Sequence, residues 1–230
     1  METVDVDLTA VRDSLRRLSP GRPWRREITL MVGGGVGAGK TTTINTLLGR
    51  RAGAVGHVSR GTTSVQGHLY TLDGWRIRLL DMPGLGDSKA HDHRNRPVYR
   101  HQASRVDGVL LIAAPPRPAG MPTLRVVKDV IRGGFAPRRI VVGLNRIETV
   151  NVETGEGMTP LRLPTRGEPD EQSLAVIERL RRAVARDLLA GVPGSGVTVA
   201  QLLPYDARTG WNLGRLVAAS LDSLVTRRKR

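Results

Sequence analysis

The sequence predicts an α/β fold: a mostly parallel six-stranded sheet with one antiparallel hairpin strand and helices on both faces. Three observations carry this. Residues Glu27 to Arg50 read as an apolar strand, a glycine-rich turn and a helix. Downstream, apolar runs alternate with helical patterns to the end of the chain. The alternation breaks once, where Asp73-Gly74 separates two strand-like runs and marks a hairpin.

Taken in order, Leu8, Val11, Leu15 and Leu18 recur at helical spacing and predict a short amphipathic helix, ended by Ser19-Pro20-Gly21. Residues 1–26 are expected to form an N-terminal helical extension, 27–226 the main domain and 227–230 a basic end. The run ILMV makes the first strand, and a helix opens at Lys40. Residues 49–64 are polar and glycine-rich, without periodicity. Val65–Leu72 and Trp75–Leu80 flank the hairpin turn. Residues 86–97 are polar and expected to be mobile, with a helix from Val98 to Val106. A strand at 108–114 leads through PPRPAGMP to a helix near Thr123–Arg132 and a strand at 139–145. Residues 146–169 read as a long polar loop. A helix over Glu171–Ala190, a strand over 196–204 and a helix over Leu213–Val225 complete the pattern.

The formal charge is +15, with 36 basic against 21 acidic residues, and only Lys40, Lys89, Lys128 and Lys229 are lysines. Such a field attracts polyanions, so RNA, the ribosome or an anionic membrane surface are the partner classes it admits. Aromatics make up 3% of the chain, too few for the base-stacking platform of a single-strand binder. The lack of cysteine excludes disulfide and thiol chemistry and fits a reducing cytoplasm. No apolar run approaches the ~18 residues of a membrane span. The acidic start METVDVDLTA does not read as a secretory signal.

The glycine-rich turn carries the first chemistry. Gly34-x-x-x-x-Gly39-Lys40-Thr41 fits the phosphate-binding loop. Glycines let the backbone N–H groups of Gly34, Gly35, Val36, Gly37, Ala38 and Gly39 converge on a polyphosphate. The helix opening at Lys40, Thr41 and Thr42 adds its positive dipole end. Lys40 would reach the β- and γ-phosphates, and the Thr41 hydroxyl would hold Mg²⁺. Asp81-x-x-Gly84 then follows a strand. Asp81 can bind Mg²⁺ through water, and Gly84 can offer its N–H to a γ-phosphate. His91, Asp92 and His93, with His101 nearby, have no fourth ligand and read as solvated. Trp75, Trp211 and Tyr205 read as packing residues.

DMPGLGDS, preceded by GGGVGAGKT, resembles the translation-factor-related (TRAFAC-class) GTPases. The likeness is to the Era-like small GTPases and their immunity-related-GTPase-like bacterial relatives, over about residues 27–226. It implies the P-loop NTPase fold, GTP or GDP as ligand and Mg²⁺ as cofactor. It places switch I at Arg60-Gly61-Thr62-Thr63, where Thr63, or else Thr62, completes the Mg²⁺ shell. Arg60 stands at the spacing where heterotrimeric G-protein α subunits place a catalytic arginine. The family's guanine-reading Asn-Lys-x-Asp appears as Asn145-Arg146-Ile147-Glu148. The resemblance implies Asn145 at the purine N7 side and supporting the phosphate loop, and Arg146 over the base. Glu148 would accept from guanine N1–H and the 2-amino group. Asp206-Ala207-Arg208 resembles the family's Ser-Ala-Lys, with the Ala207 N–H toward guanine O6.

Three positions depart from relatives. Leu85 stands where Ras-like enzymes orient the attacking water with glutamine. Val36 fills a position where they need glycine to admit a partner's arginine finger. Gly37 replaces the asparagine of potassium-activated relatives. The expectation is therefore a cytoplasmic GTPase that hydrolyses GTP slowly as a conformational switch, with a macromolecular effector. A homodimer through the switch face is one assembly open to it. Two other readings stay open: a nucleotide-gated binding module with negligible turnover, and a P-loop ATPase or kinase.

Overall fold

The computed structural model describes residues 4–18, 26–49, 64–114, 120–154, 157–161, 163–164, 167–193 and 197–225. The switch I expectation at Arg60, Gly61, Thr62 and Thr63, the stop at Ser19-Pro20-Gly21 and the basic end at 227–230 lie outside the described residues.

Among the described residues, eight strands make two sheets. The strands are β1 (Glu27–Gly34), β2 (Gln66–Leu72), β3 (Trp75–Asp81), β4 (Gly108–Ala113), β5 (Ile140–Leu144), β6 (Asn151–Thr154), β7 (Gly157–Pro160) and β8 (Leu202–Pro204). Six form the main sheet in the order β2-β3-β1-β4-β5-β8, while β6 and β7 pair separately. Every neighbour in the main sheet is parallel except β2 and β3. Asp73 and Gly74 at that hairpin both have positive φ (49° and 78°), the backbone a two-residue hairpin loop needs. The central strands β4 and β5 are buried at every position, which is why they read as unbroken apolar runs.

Among the described residues, six α-helices cover the sheet: α1 (Thr9–Leu18), α2 (Lys40–Leu48), α3 (Lys89–Ala103), α4 (Gly120–Arg132), α5 (Glu171–Gly191) and α6 (Leu213–Asp222). Side chains alternate across β1 and so divide the core in two. Ile28, Leu30 and Val32 pack with Val11, Leu15, Ile44, Leu213 and Leu216 from α1, α2 and α6. Met31, on the other face, packs with Tyr99, Val126, Val130 and Ile177 from α3, α4 and α5. Trp75, Trp211 and Tyr205 are buried.

Three expectations are corrected. Residues 86–97 are not a mobile stretch, because α3 already begins at Lys89. Ser88 caps it, its hydroxyl accepting the His91 N–H at 3.2 Å. The polar residues that suggested mobility are partnered from α4: Arg96 donates to the fully buried Asp129 at 2.7 Å, and Arg100 lies 3.2 Å from the same carboxylate. The 146–169 segment contains a 3-10 turn, Ile147–Thr149, and the β6–β7 hairpin, with Asn151 opposite Pro160. Glycine and proline around these short strands mask their pairing in the sequence. The last strand is shorter than 196–204, since a 3-10 turn at Val199–Gln201 precedes it. There the Gln201 side chain accepts the Thr198 N–H at 2.7 Å and draws the chain out of the sheet.

Candidate nucleotide site

The loops after β1, β3, β5 and β8 all leave the carboxyl ends of parallel strands, the edge where open α/β sheets bind ligands. Each carries one of the motifs found in the sequence.

The loop after β1 reaches α2 through Gly39, which has φ 99° and no side-chain cap. The first-turn N–H groups of α2 are thus not covered by a capping side chain, and they face the position an anion would take. A side chain at Gly39 would collide with Asn145, its Cβ falling 2.2 Å from the Asn145 Nδ2. Lys40 is buried, and its ammonium donates to the Gly35 carbonyl at 3.0 Å. Burial lowers its pKa and the Asp81 carboxylate raises it in opposition. The Thr41 hydroxyl donates to Asp81 Oδ2 at 2.7 Å, so the two expected Mg²⁺ ligands already touch. Val36, Gly37, Thr41 and Thr42 are exposed, while Gly34 and Ala38 are buried and Gly35 is half-buried.

The loop after β3 is laced to the phosphate loop by backbone. Val36 donates to the Leu85 carbonyl at 2.9 Å, and Leu85 donates to the Gly34 carbonyl at 3.2 Å. Gly84 lies so close to Val36 that an added Cβ would fall 2.7 Å from Val36 Cγ2. The Leu85 side chain itself is fully buried.

Asn145 sits at the centre of the base end. Its Nδ2 donates to the Ala38 carbonyl at 2.9 Å, and its Oδ1 accepts the Ala207 N–H at 2.9 Å. The expected support of the phosphate loop is therefore present. The Ala207 N–H, expected toward guanine O6, is the donor that Asn145 Oδ1 accepts. The Arg208 N–H is likewise taken, by Asp206 Oδ1 at 2.8 Å. Arg146 has φ 60°, and its side chain is exposed, as is that of Arg208.

Glu148 stands beside them half-buried, and its Oε2 is buried without a hydrogen-bond partner. Burial raises its pKa most, and the nearby Asp206 raises it further, with Arg208 and Arg146 opposing. A buried carboxylate oxygen left without a donor fits a ligand that brings donors of its own.

Two supports were not foreseen. The Thr43 hydroxyl donates to the Gly39 carbonyl at 2.8 Å and lies 2.6 Å from the buried Tyr205 hydroxyl. The Thr46 hydroxyl donates to the Ala207 carbonyl at 2.6 Å. Their only trace in the sequence is threonine recurring along α2. The His91, Asp92 and His93 cluster lies on α3: His91 Nδ1 is 2.7 Å from Asp87, while Asp92 is buried and turned inward.

A family model described as 50S ribosome-binding GTPase matches residues 29–146, about half of the chain. The tRNA modification GTPase MnmE of Nitratidesulfovibrio vulgaris is 26% identical over 199 residues, covering 83% of this chain and 42% of that protein. MnmE of Acidiphilium cryptum is 28% identical over 163 residues, covering 67% and 35%. The chain thus spans less than half the length of these relatives. Among solved structures, Toc33 of Arabidopsis thaliana with GDP and Mg²⁺ superposes with a TM-score of 0.62 at 16% identity, covering 96% of this chain and 92% of that one. Era bound to MgGDPNP and a segment of 16S ribosomal RNA gives 0.57 at 18% identity, covering 86% and 56%. The matched segment begins within the strand before the glycine-rich loop and ends in the loop after β5, and the chain belongs to this GTPase family.

Proposed function

We propose that this chain binds GTP and GDP with Mg²⁺ and hydrolyses GTP slowly as a conformational switch, without a glutamine to orient water. The observation that carries the last clause is Leu85, fully buried and bound through both backbone groups to the phosphate loop. Its side chain reaches no solvent and can orient no water.

In this reading Lys40, with the N–H groups of Gly37 and of Gly39 to Thr42, holds the phosphates, while the Gly34 and Val36 N–H groups, expected there too, are engaged by the Tyr99 hydroxyl and the Leu85 carbonyl. Thr41 and Asp81, already in contact, would hold Mg²⁺, with Thr63 as the further ligand. The bound metal supplies charge neutralisation on the phosphate oxygens. Gly84 donates its N–H to the γ-phosphate from beside Val36. Glu148 accepts from guanine N1–H and the 2-amino group, and adenine, which lacks both donors, is disfavoured. Arg146 lies over the base and Arg208 beside it. Arg60, three residues before Thr63, would supply positive charge in cis.

A second reading, a nucleotide-gated binding module with negligible turnover, draws on the same buried Leu85. Comparing GTP, GDP and ATP in a calorimetric titration, with phosphate release from GTP against a Lys40→Ala control, tests both. Release above the control supports the enzyme. Tight guanine-nucleotide binding with none supports the module, and equal ATP and GTP affinity removes the guanine assignment.

The effector is a macromolecule whose class the charge of +15 narrows to RNA, the ribosome or an anionic membrane surface. Among the described residues no helix is long and apolar enough to cross a membrane. The absence of cysteine agrees with a cytoplasmic setting. Toc33 structures are described in terms of dimerisation, and a homodimer through the switch face is the corresponding assembly here.

A further inference from the structure

One buried hydroxyl joins the loop after β1 to the loop after β3. Tyr99, on α3, is fully buried, and its hydroxyl accepts the Gly34 N–H at 3.2 Å and donates to the Pro83 carbonyl at 2.8 Å. Gly34 opens the phosphate loop, and Pro83 precedes Gly84. The ring has its place only because Gly33 lacks a side chain, since a Cβ there would fall 2.6 Å from Tyr99 Cε1. Burial pushes the Tyr99 pKa up, so the hydroxyl keeps its proton and both bonds persist at any working pH.

Tyr99 does not act alone. Asn95 donates from Nδ2 to the Gly84 carbonyl at 3.2 Å, and Asp92 accepts the Gly86 N–H at 2.6 Å. Positions 92, 95 and 99 share one stripe of the helix. Along it they hold three main-chain groups of the segment 83–86. Asp92 is in turn fixed by Arg125 of α4, 2.5 Å away.

We propose that Tyr99, with Asn95 and Asp92 along the same stripe of α3, is a positioning residue that presets the Gly84 N–H against the phosphate loop for a γ-phosphate. This inference rests on the reading of the site as a GTP switch. A diphosphate does not reach Gly84 and gains nothing from the stripe. A triphosphate does reach it, and without the Tyr99 hydroxyl the 83–86 segment would have to be ordered when the γ-phosphate binds.

The test is Tyr99→Phe, which keeps the ring and removes the bridge. Affinities for GDP and for a non-hydrolysable GTP analogue are measured by calorimetry, and GTP turnover is followed by phosphate release. The expected result is GDP affinity within about twofold of wild type, with analogue affinity and kcat each reduced about tenfold, the size of one buried hydrogen bond. Equal losses for both nucleotides would mean a merely structural role. No change, or tighter analogue binding, would overturn the inference equally. Should Tyr99→Phe fail to fold, Asn95→Ala removes a half-buried member of the stripe and should show the same selective loss, about threefold. Its absence there has the same meaning. Failure of the wild type to bind GDP would instead sink the switch reading, and this inference with it.

Discussion

Asn145 joins two loops that lie far apart in the chain: its Oδ1 accepts the Ala207 N–H while its Nδ2 donates to the Ala38 carbonyl, both at 2.9 Å. The side chain is buried, so neither main-chain group has water in reserve. Asn145→Ala should therefore destabilise the protein without nucleotide by about 2–3 kcal/mol, the cost of two stranded buried groups. Affinity for GTP and GDP should fall together, since the phosphate loop itself is loosened. Urea unfolding of the apo protein measures the first, and calorimetry the second. A variant as stable as wild type would show that Asn145 is no tie.

Lys40 is held differently, through its ammonium at the Gly35 carbonyl. Replacing it with alanine removes a charge and one hydrogen bond from a site where phosphate charge must be met. Phosphate release from GTP should drop by about 100-fold or more, the scale of losing one preorganised group of this kind. Burial already lowers the Lys40 pKa, so stability should change little, because the variant no longer carries a desolvated ammonium. Thermal unfolding without nucleotide checks that half of the expectation.

Leu85 invites an obvious substitution that should fail. Putting glutamine there would restore the Ras-like residue type, but the side chain enters the core with Met82 and Tyr99 rather than the cleft. Leu85→Gln should cost about 2–3 kcal/mol of stability, from lost apolar packing and a buried amide without partners. GTP turnover should not rise. Faster hydrolysis at unchanged stability would show that this side chain can turn toward the nucleotide.

These residues also mark how far the sequence could be read. The phosphate loop, the Asp-Gly hairpin and Asp81-x-x-Gly84 were legible because each demands particular residue types at fixed spacing. The parallel sheet followed from the buried runs of β4 and β5. The start of α3 was not legible, because Asp92 and Arg96 find their partners, Arg125 and Asp129, in another helix. Local periodicity does not register such pairs, and a polar string without its partners reads as loop. The same holds at the base end. Asn145-Arg146-Ile147-Glu148 was recognisable in order and place, yet nothing in it revealed that the Ala207 N–H would be spent on Asn145.

Glu148, proposed to read the base, has a raised pKa that makes a pH test of that role possible. Burial raises its pKa first, Asp206 adds to the rise, and Arg208 and Arg146 oppose it. To accept from guanine N1–H and the 2-amino group the carboxylate must be ionised. As pH falls toward the ordinary glutamate range near ~4.3, Glu148 takes up its proton earlier than an exposed glutamate would. GDP affinity should therefore weaken on acidification, beginning above that range. The stability linkage has the opposite sign. A carboxyl whose folded pKa is raised binds a proton more tightly folded than unfolded. Its stabilising contribution is full below the unfolded pKa and is lost as pH rises through the folded one. Across the same window, then, Glu148 should make the empty protein relatively more stable in acid while the nucleotide binds less well. Glu148→Gln keeps the shape and removes the titration. It should flatten both dependences and weaken GDP binding at neutral pH by about 1.5–3 kcal/mol, the worth of a hydrogen bond to a charged group. Calorimetric GDP titrations and apo unfolding curves at matched pH values, wild type against variant, read the two slopes separately. A wild type whose GDP affinity stays flat down to the ordinary glutamate range would remove Glu148 from the base contact.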